Sequence, residues 1–227
     1  MNYAPGWPGI PPRWTSSAKE GIGTALSSTS RVWFTLSHGI LNEVYYPRVD
    51  QACTRDFGFL VAGDGGYFSE EKRAAVHSVT TAESGVPAYV LSSTCPEGRY
   101  QIVKEIICDP NYDVVLQRVT FRQNEGENLR LYALLAPHLV NGGAGNTAWL
   151  GEYKGEPMIF AEGDGTAIAL AAVAPFRARS VGFVGTSDGW QQISSDGRIA
   201  TRYPANPNGS PDGIAGVVSD DGRATIL

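Results

Sequence analysis

The sequence predicts an all-β fold, with antiparallel strands stacked as a sandwich and at most short helices. Three observations carry this. Short runs rich in β-branched and aromatic residues recur along most of the chain. Turn-forming residues separate them, and the 227 residues include 27 glycines and 14 prolines. Helical periodicity is scarce, and no linker or internal repeat divides the chain.

The first thirty residues read as an extended leader. "APGWPGIPPRW" is punctuated by proline and "TSSAKEGIGTALSSTS" is small and polar, so this segment should lie across a surface, with Trp7 and Trp14 as anchors. From Val32 to Leu36 a strand carries bulk on both faces. Phe57, Phe59 and Val61 alternate with Asp56, Gly58 and Leu60, the period-two pattern of a strand. "GRYQIVKEIICDP" and "YDVVLQRVTF" are strands parted by a turn at Asp109-Pro110-Asn111, and "NLRLYALLAPHLV" follows. "TAWLGEYKGEPMIFAEGDGTAIALAAVA" contains further strands, turning at Lys154-Gly155 and Gly163-Asp164-Gly165, with "ALAAVAP" a buried strand. "ARSVGFVG" reads as one more strand. Helix signals are poor; "SDGWQQIS" could form one short helix, with Ser187 or Asp188 as its N-cap. "YPANPNGSPDG" reads as a long loop, and "GRATIL" stops in an apolar run as though a strand had just begun.

Composition narrows function. Hydrophobic residues make up 42% and charged residues 18%, which suits a folded domain. A chain of this length can bury roughly 70–75% of its unfolded surface. Net charge is −5 with no Lys/Arg run, against a nucleic-acid partner. No apolar run reaches membrane-helix length, and the start "MNYAPGWPGI" lacks a signal peptide's basic region and apolar core. Cys53, Cys95 and Cys108 are too scattered for a zinc site or disulfide framework and read as small buried hydrophobes. The Met1 start and an odd thiol lean cytoplasmic, with an exported parent as the alternative.

Chemistry-bearing residues are sparse. His38, His77 and His138 lie on different segments, and strand neighbours such as Ser37 and His38 should point to opposite faces. There is no G-x-S-x-G elbow, metal-ligand spacing or phosphate-cradling loop, so no hydrolase triad, metal or cofactor is expected. Sugar hydrolysis needs two carboxylates. Glu43, Asp50, Asp56, Glu70, Glu71 and Glu105 qualify by type alone, and most read as surface residues. The densest stretch is "RVWFTLSHGILNEVYYPRVD". Trp33, Tyr45 and Tyr46 could stack on sugar rings, while His38, Asn42, Glu43 and Arg48 could bind hydroxyls. The alternative is that its aromatics fill a core and Arg48 pairs with Glu43 or Asp50.

"PRWTSSAKEGIGTALSSTSRVWFTLSHGILNEVYYPRVDQACTRDFGFLVAG", with "SEEKR" at Ser69–Arg73 and "VGTSDGWQQIS" at Val184–Ser194, resembles the opening of bacterial family-15 glycoside hydrolases, the glucoamylases and glucodextranases. The resemblance runs from about Pro12 to about Tyr203. It implies a galactose-mutarotase-like β-supersandwich, followed in the family by a linker and an (α/α)6 barrel that carries both glutamates of an inverting mechanism. No succession of long amphipathic helices is present, so the segment reads as the non-catalytic N-terminal domain. Residues 1–30 would be its leader, and residues 31–227 a single domain with incomplete closing strands. Its implied partner is the parent's own barrel, with an α-glucan oligosaccharide as a further ligand. Trp33, His38, Asn42, Glu43, Tyr45, Tyr46 and Arg48 are then candidates for the barrel contact or the rim of the sugar pocket. Tyr45-Tyr46-Pro47 would form a rigid corner there. An independent carbohydrate-binding module and an aldose-mutarotase-like enzyme are the alternatives.

Overall fold

The computed structural model describes residues 3–11, 13–174 and 176–205. In chain order the strands are β1 (Gly21–Thr24), β2 (Trp33–Ser37), β3 (Ile40–Tyr45), β4 (Thr54–Gly63), β5 (Phe68–Glu70), β6 (Val76–Thr81), β7 (Tyr89–Thr94), β8 (Tyr100–Cys108), β9 (Val115–Gln123), β10 (Leu129–Pro137), β11 (Thr147–Tyr153), β12 (Glu156–Gly163) and β13 (Thr166–Leu170). Two short helices, α1 (Glu71–Ala74) and α2 (Gly189–Asp196), accompany them. The strands form three antiparallel sheets: β1-β2-β3-β4-β10 with β5 beside β4, β6-β7-β8-β9, and β11-β12-β13. The all-β supersandwich is therefore the observed architecture.

Alternation decides what each strand buries. In β4, Phe57, Phe59 and Val61 enter the main core, where they meet Leu91, Ile102 and Ile106 of the second sheet. Fully burying one such side chain contributes roughly 1.5–3 kcal/mol before entropy is counted. Leu60 and Ala62 face the other way, with Tyr132 of β10 and Ile193 of α2. The third sheet closes the main core with Ala148, Ile159, Ala161 and Leu170. Asp188 caps α2 by accepting a 3.0 Å bond from Gln191 N, and Gly197 ends it in the left-handed region at φ 66°.

Four local expectations change. "ALAAVAP" is strand only as far as Leu170, and Val173 beyond it is exposed. The leader is not all coil: Gly21–Thr24 pairs with β2 in register Gly21 to Leu36. Backbone groups supply this strand, and Gly23 sits where a Cβ would overlap the Phe34 ring, so its apolar pattern is faint. "ARSVGFVG" forms no strand; Val181 N instead bonds Tyr203 O at 3.1 Å, and Phe183 O accepts the turn that leads into α2. Ser37 and His38 are not consecutive strand residues. His38 and Gly39 have φ of 52° and 68°, the two-residue mirror-image turn that joins β2 to β3. The turns at Lys154-Gly155 and Asp164-Gly165 fall between strands as expected. Cys53, Cys95 and Cys108 are free and buried. The "GRATIL" ending and nearly all of "YPANPNGSPDG" lie outside the described residues.

One residue breaks the apolar file on β8. Tyr100, Ile102, Ile106 and Cys108 point into the core, and so does Lys104, which is fully buried. Its ammonium pairs with Glu71 of α1, also fully buried, and donates to Gly39 O in the hairpin turn. Glu71 in turn accepts from Phe59 N at 3.2 Å. Burial pulls the Lys104 pKa down, against the pull of Glu71.

Lys104→Ala strands the Glu71 carboxylate and should cost about 3–5 kcal/mol of unfolding free energy, as for other broken buried pairs. Lys104→Met with Glu71→Gln removes both charges and should cost clearly less. Urea denaturation of the two variants measures this; equal losses would mean that the stranded charge is not the cause.

Candidate functional site

The β2–β3 hairpin holds all but two of the residues singled out from the sequence, and Tyr46 and Arg48 follow directly after it. Phe34, Leu36 and Leu41 point inward. The opposite face carries Trp33, Thr35 and Ser37 on β2, with Asn42, Glu43 and Tyr45 on β3. Part of this face is a buried polar network. Thr35 Oγ1 donates to Glu43 Oε2 at 2.5 Å, and Ser37 Oγ donates to Asn42 Oδ1 at 2.5 Å. The leader closes over them: Lys19 Nζ lies 2.6 Å from Glu43 Oε2, and Asn42 Nδ2 donates to Thr15 Oγ1 at 2.9 Å. Asn42 and Glu43 are thus buried, with their side chains engaged by both β2 and the leader.

The aromatics lie nearer the surface. Trp33 is 37% exposed and sits opposite Tyr45 across the hairpin. Partial burial, then the Glu43 charge, raises the Tyr45 phenol pKa. Tyr46 accepts a 2.6 Å bond from Arg31 Nη2, whose guanidinium stands 4.9 Å from the Tyr46 ring centre. The exposed Ile22 lies on the same outer face, opposite Thr35. The Tyr46–Pro47 peptide is cis. Arg48 is exposed and forms a two-pronged pair with Asp50, at 2.9 and 2.6 Å. His38 is exposed at the turn, its Nδ1 3.0 Å from Ser37 Oγ. His38 and Arg48 thus stand at opposite ends of the hairpin, roughly 15–20 Å apart by strand rise. The seven residues form no single pocket: Trp33, Tyr45 and Tyr46 group at the open end.

The histidines do not share a site. His77 packs against Gly39, with Nδ1 3.1 Å from Ser93 Oγ. His138 is buried beyond β10, its Nδ1 2.6 Å from Pro137 O and its ring edge-on to Trp14 at 5.1 Å. Three of the carboxylates expected at the surface are buried instead: Glu43, Asp56 and Glu71, each held by a cation. Burial raises the Asp56 pKa, but Arg55 and Lys72 at 3.2 and 3.1 Å outweigh it and lower the value. Among the described residues, no group of three or more His, Cys, Asp and Glu side chains is placed to hold a metal, and no helix is long and apolar enough to cross a membrane.

A second feature escaped sequence reasoning. The outer face of β4 and β10 floors a cleft of about 410 Å³, with Asp56, Gly58 and Leu134 beneath it. Trp14 and Arg13 of the leader form one wall. Lys72 with Glu70, and Trp190 with Asp188 at the start of α2, form the others. The alternation in β4 was a usable signal, since it turns Asp56 and Gly58 away from the core. The sequence held no sign that the leader and α2 would wall that face.

A family model described as "Glucodextranase, domain N" matches residues 4–218. A glucoamylase of Clostridium sp. (strain G0005) is 29% identical over 198 residues, covering 86% of this chain and 28% of that protein. A crystal structure of a bacterial glucoamylase complexed with acarbose superposes with a TM-score of 0.93 at 26% identity, covering 99% of this chain and 34% of that one. The chain therefore spans about a third or less of the length of these relatives.

Two measurements check this geometry. Glu43→Ala should free the leader and speed tryptic cleavage after Lys19 severalfold, whereas Trp33→Ala should not. Burial holds His138 and His77 below the ordinary imidazole pKa, so the unfolded chain takes up protons first. Their contribution is intact above about pH 6.5 and is lost as pH falls from there towards the lowered folded values. Thermal melting should drop between about pH 7 and pH 5, and His138→Gln should flatten part of that slope.

Proposed function

The chain belongs to the glucodextranase domain N family, and on that premise we propose that it is the non-catalytic β-domain of a glucoamylase-type, exo-acting α-glucan hydrolase. The observation that carries this is the superposition of nearly the whole chain on about a third of a bacterial glucoamylase. The remaining two thirds of such a protein has room for a separate catalytic domain. The two carboxylates of glycoside hydrolysis belong there on this reading. The buried carboxylates here are tied up in ion pairs and backbone bonds instead.

The contact with that domain is the open end of the β2–β3 hairpin. Trp33, Tyr45 and Tyr46 supply aromatic area at half-exposed positions, Ile22 and Val49 add exposed apolar surface, and Arg48 stands at the rim. Such grouped apolar surface marks an interaction face. His38 marks the far end of the same hairpin. Asn42 and Glu43 serve from beneath by fixing the leader. In this position the hairpin packs on the catalytic domain and rims its pocket. The separate partners of the three histidines give an aldose-mutarotase reading no support.

Mixing the 227-residue chain with the separately produced catalytic domain tests this by calorimetry. A stable complex is expected, and Trp33→Ala should weaken it by at least about tenfold, as for an interface hot spot. Unchanged affinity in both Trp33→Ala and Tyr45→Ala would sink the contact. The chain alone should release no glucose from maltotriose; release would sink the non-catalytic role.

A further inference from the structure

We propose that the cleft between the leader and α2 is a second carbohydrate site, distinct from the hairpin face, that takes a glucosyl unit of an α-glucan. The site is argued from its own walls; the choice of a glucan rests on the glucan-hydrolase reading above. At about 410 Å³ the cleft falls in the roughly 300–1,000 Å³ range of small-molecule sites.

Its walls carry two aromatic surfaces of different character. Trp14 is 44% exposed, steadied from one side by the edge-on His138 ring. Trp190 is held by a 2.8 Å bond from its Nε1 to Glu70 Oε2 and by an edge-on contact with Phe68 at 5.6 Å. Both indoles are therefore oriented before any ligand arrives, which lowers the ordering cost of binding. Indole faces suit the apolar C–H faces of a pyranose.

The polar groups between them suit hydroxyls better than an anion. Arg13, Arg55, Lys72 and Arg73 are nearly balanced by Asp56, Glu70 and Asp188. Arg55 and Lys72 are already paired with Asp56, and Asp188 is spent on capping α2. A phosphate would meet little net charge here. A neutral polyol would meet planar donors and acceptors in mixed order: the Arg13 and Arg55 guanidinium groups, the Asp56 carboxylate and the Gln191 amide. Glycine at 58 keeps the floor open, since β4 places its missing side chain over Ile40 rather than in the core.

The chain has five tryptophans, and their indole N–H signals report the site directly. Titrating the isotopically labelled chain with maltotriose should shift the Trp14 and Trp190 signals together, with millimolar affinity, and leave Trp33 unmoved. Trp14→Ala and Arg13→Ala alter exposed side chains, so the fold should survive, and each should weaken binding at least about tenfold. The proposal is overturned if no indole signal moves, if Trp33 alone moves, or if both variants bind as the parent does. It is also overturned if adding the catalytic domain shifts Trp14 and Trp190 while maltotriose does not, because the cleft is then a protein contact. Failure of the hairpin contact reads out differently, as a loss of association in the mixing experiment with the maltotriose shifts intact.

Discussion

The buried pair of Lys104 and Glu71 is the constraint around which the sandwich is organised. Two charges lie inside the apolar core, where desolvation is expensive and only close mutual pairing offsets it. The requirement is geometric. Lys104 comes from the second sheet, Glu71 from a single turn of helix behind β5, and the ammonium also reaches Gly39 O in the hairpin turn. Glu71 adds Phe59 N of β4. Four separate segments must be placed correctly before the charges are satisfied. The apolar contacts around them tolerate small shifts, but this cluster does not, because a buried ion without its partner has no inexpensive alternative.

The leader is the second organiser, and it works on the outside. Thr15 and Lys19 satisfy Asn42 and Glu43, which would otherwise face solvent on the hairpin's outer side. Further back, Gly6 packs on Phe183, and Ser187 Oγ donates to Pro5 O at 2.7 Å, so the leader is also tied to the loop before α2. One strap thus shapes both proposed surfaces. Where it covers the middle of the hairpin it buries Asn42 and Glu43 and leaves the aromatic end open. Where it passes β4 and β10 it becomes a wall of the cleft through Arg13 and Trp14. This division keeps polar groups satisfied under the strap and concentrates exposed aromatic area at its edges.

Some residues were legible in the sequence and others were not, for particular reasons. A helix cap at Ser187 or Asp188, and Lys154-Gly155 as a hairpin turn, were readable because their causes are local: a side-chain acceptor beside free N–H groups, and a left-handed backbone pair; the structure chose Asp188. Phe57, Phe59 and Val61 were readable as a core face from alternation alone. Glu71 was not. Its neighbours "SEEKR" look solvated, and only the distant Lys104 accounts for its burial. Asn42 and Glu43 looked like free hydroxyl binders because their partners, Thr15 and Lys19, lie in a leader with no strand pattern of its own.

Apart from β1, β5, β6 and β7, which carried no legible pattern, the sequence by itself determined the fold class, the strands with strong β-branched or aromatic runs, several of their turns and, through the resemblance of its motifs, the family. Each follows from neighbours within a few positions or from residue identities along the chain. Only the tertiary structure decided which polar residues are buried, which aromatics of the hairpin remain exposed, and that a cleft exists at all. Those outcomes depend on contacts between residues far apart in the chain, such as Lys104 with Glu71 and Trp14 with His138. Burial of a charge or the opening of a cleft is set by what the other strand or strap brings to it, and no local pattern encodes that.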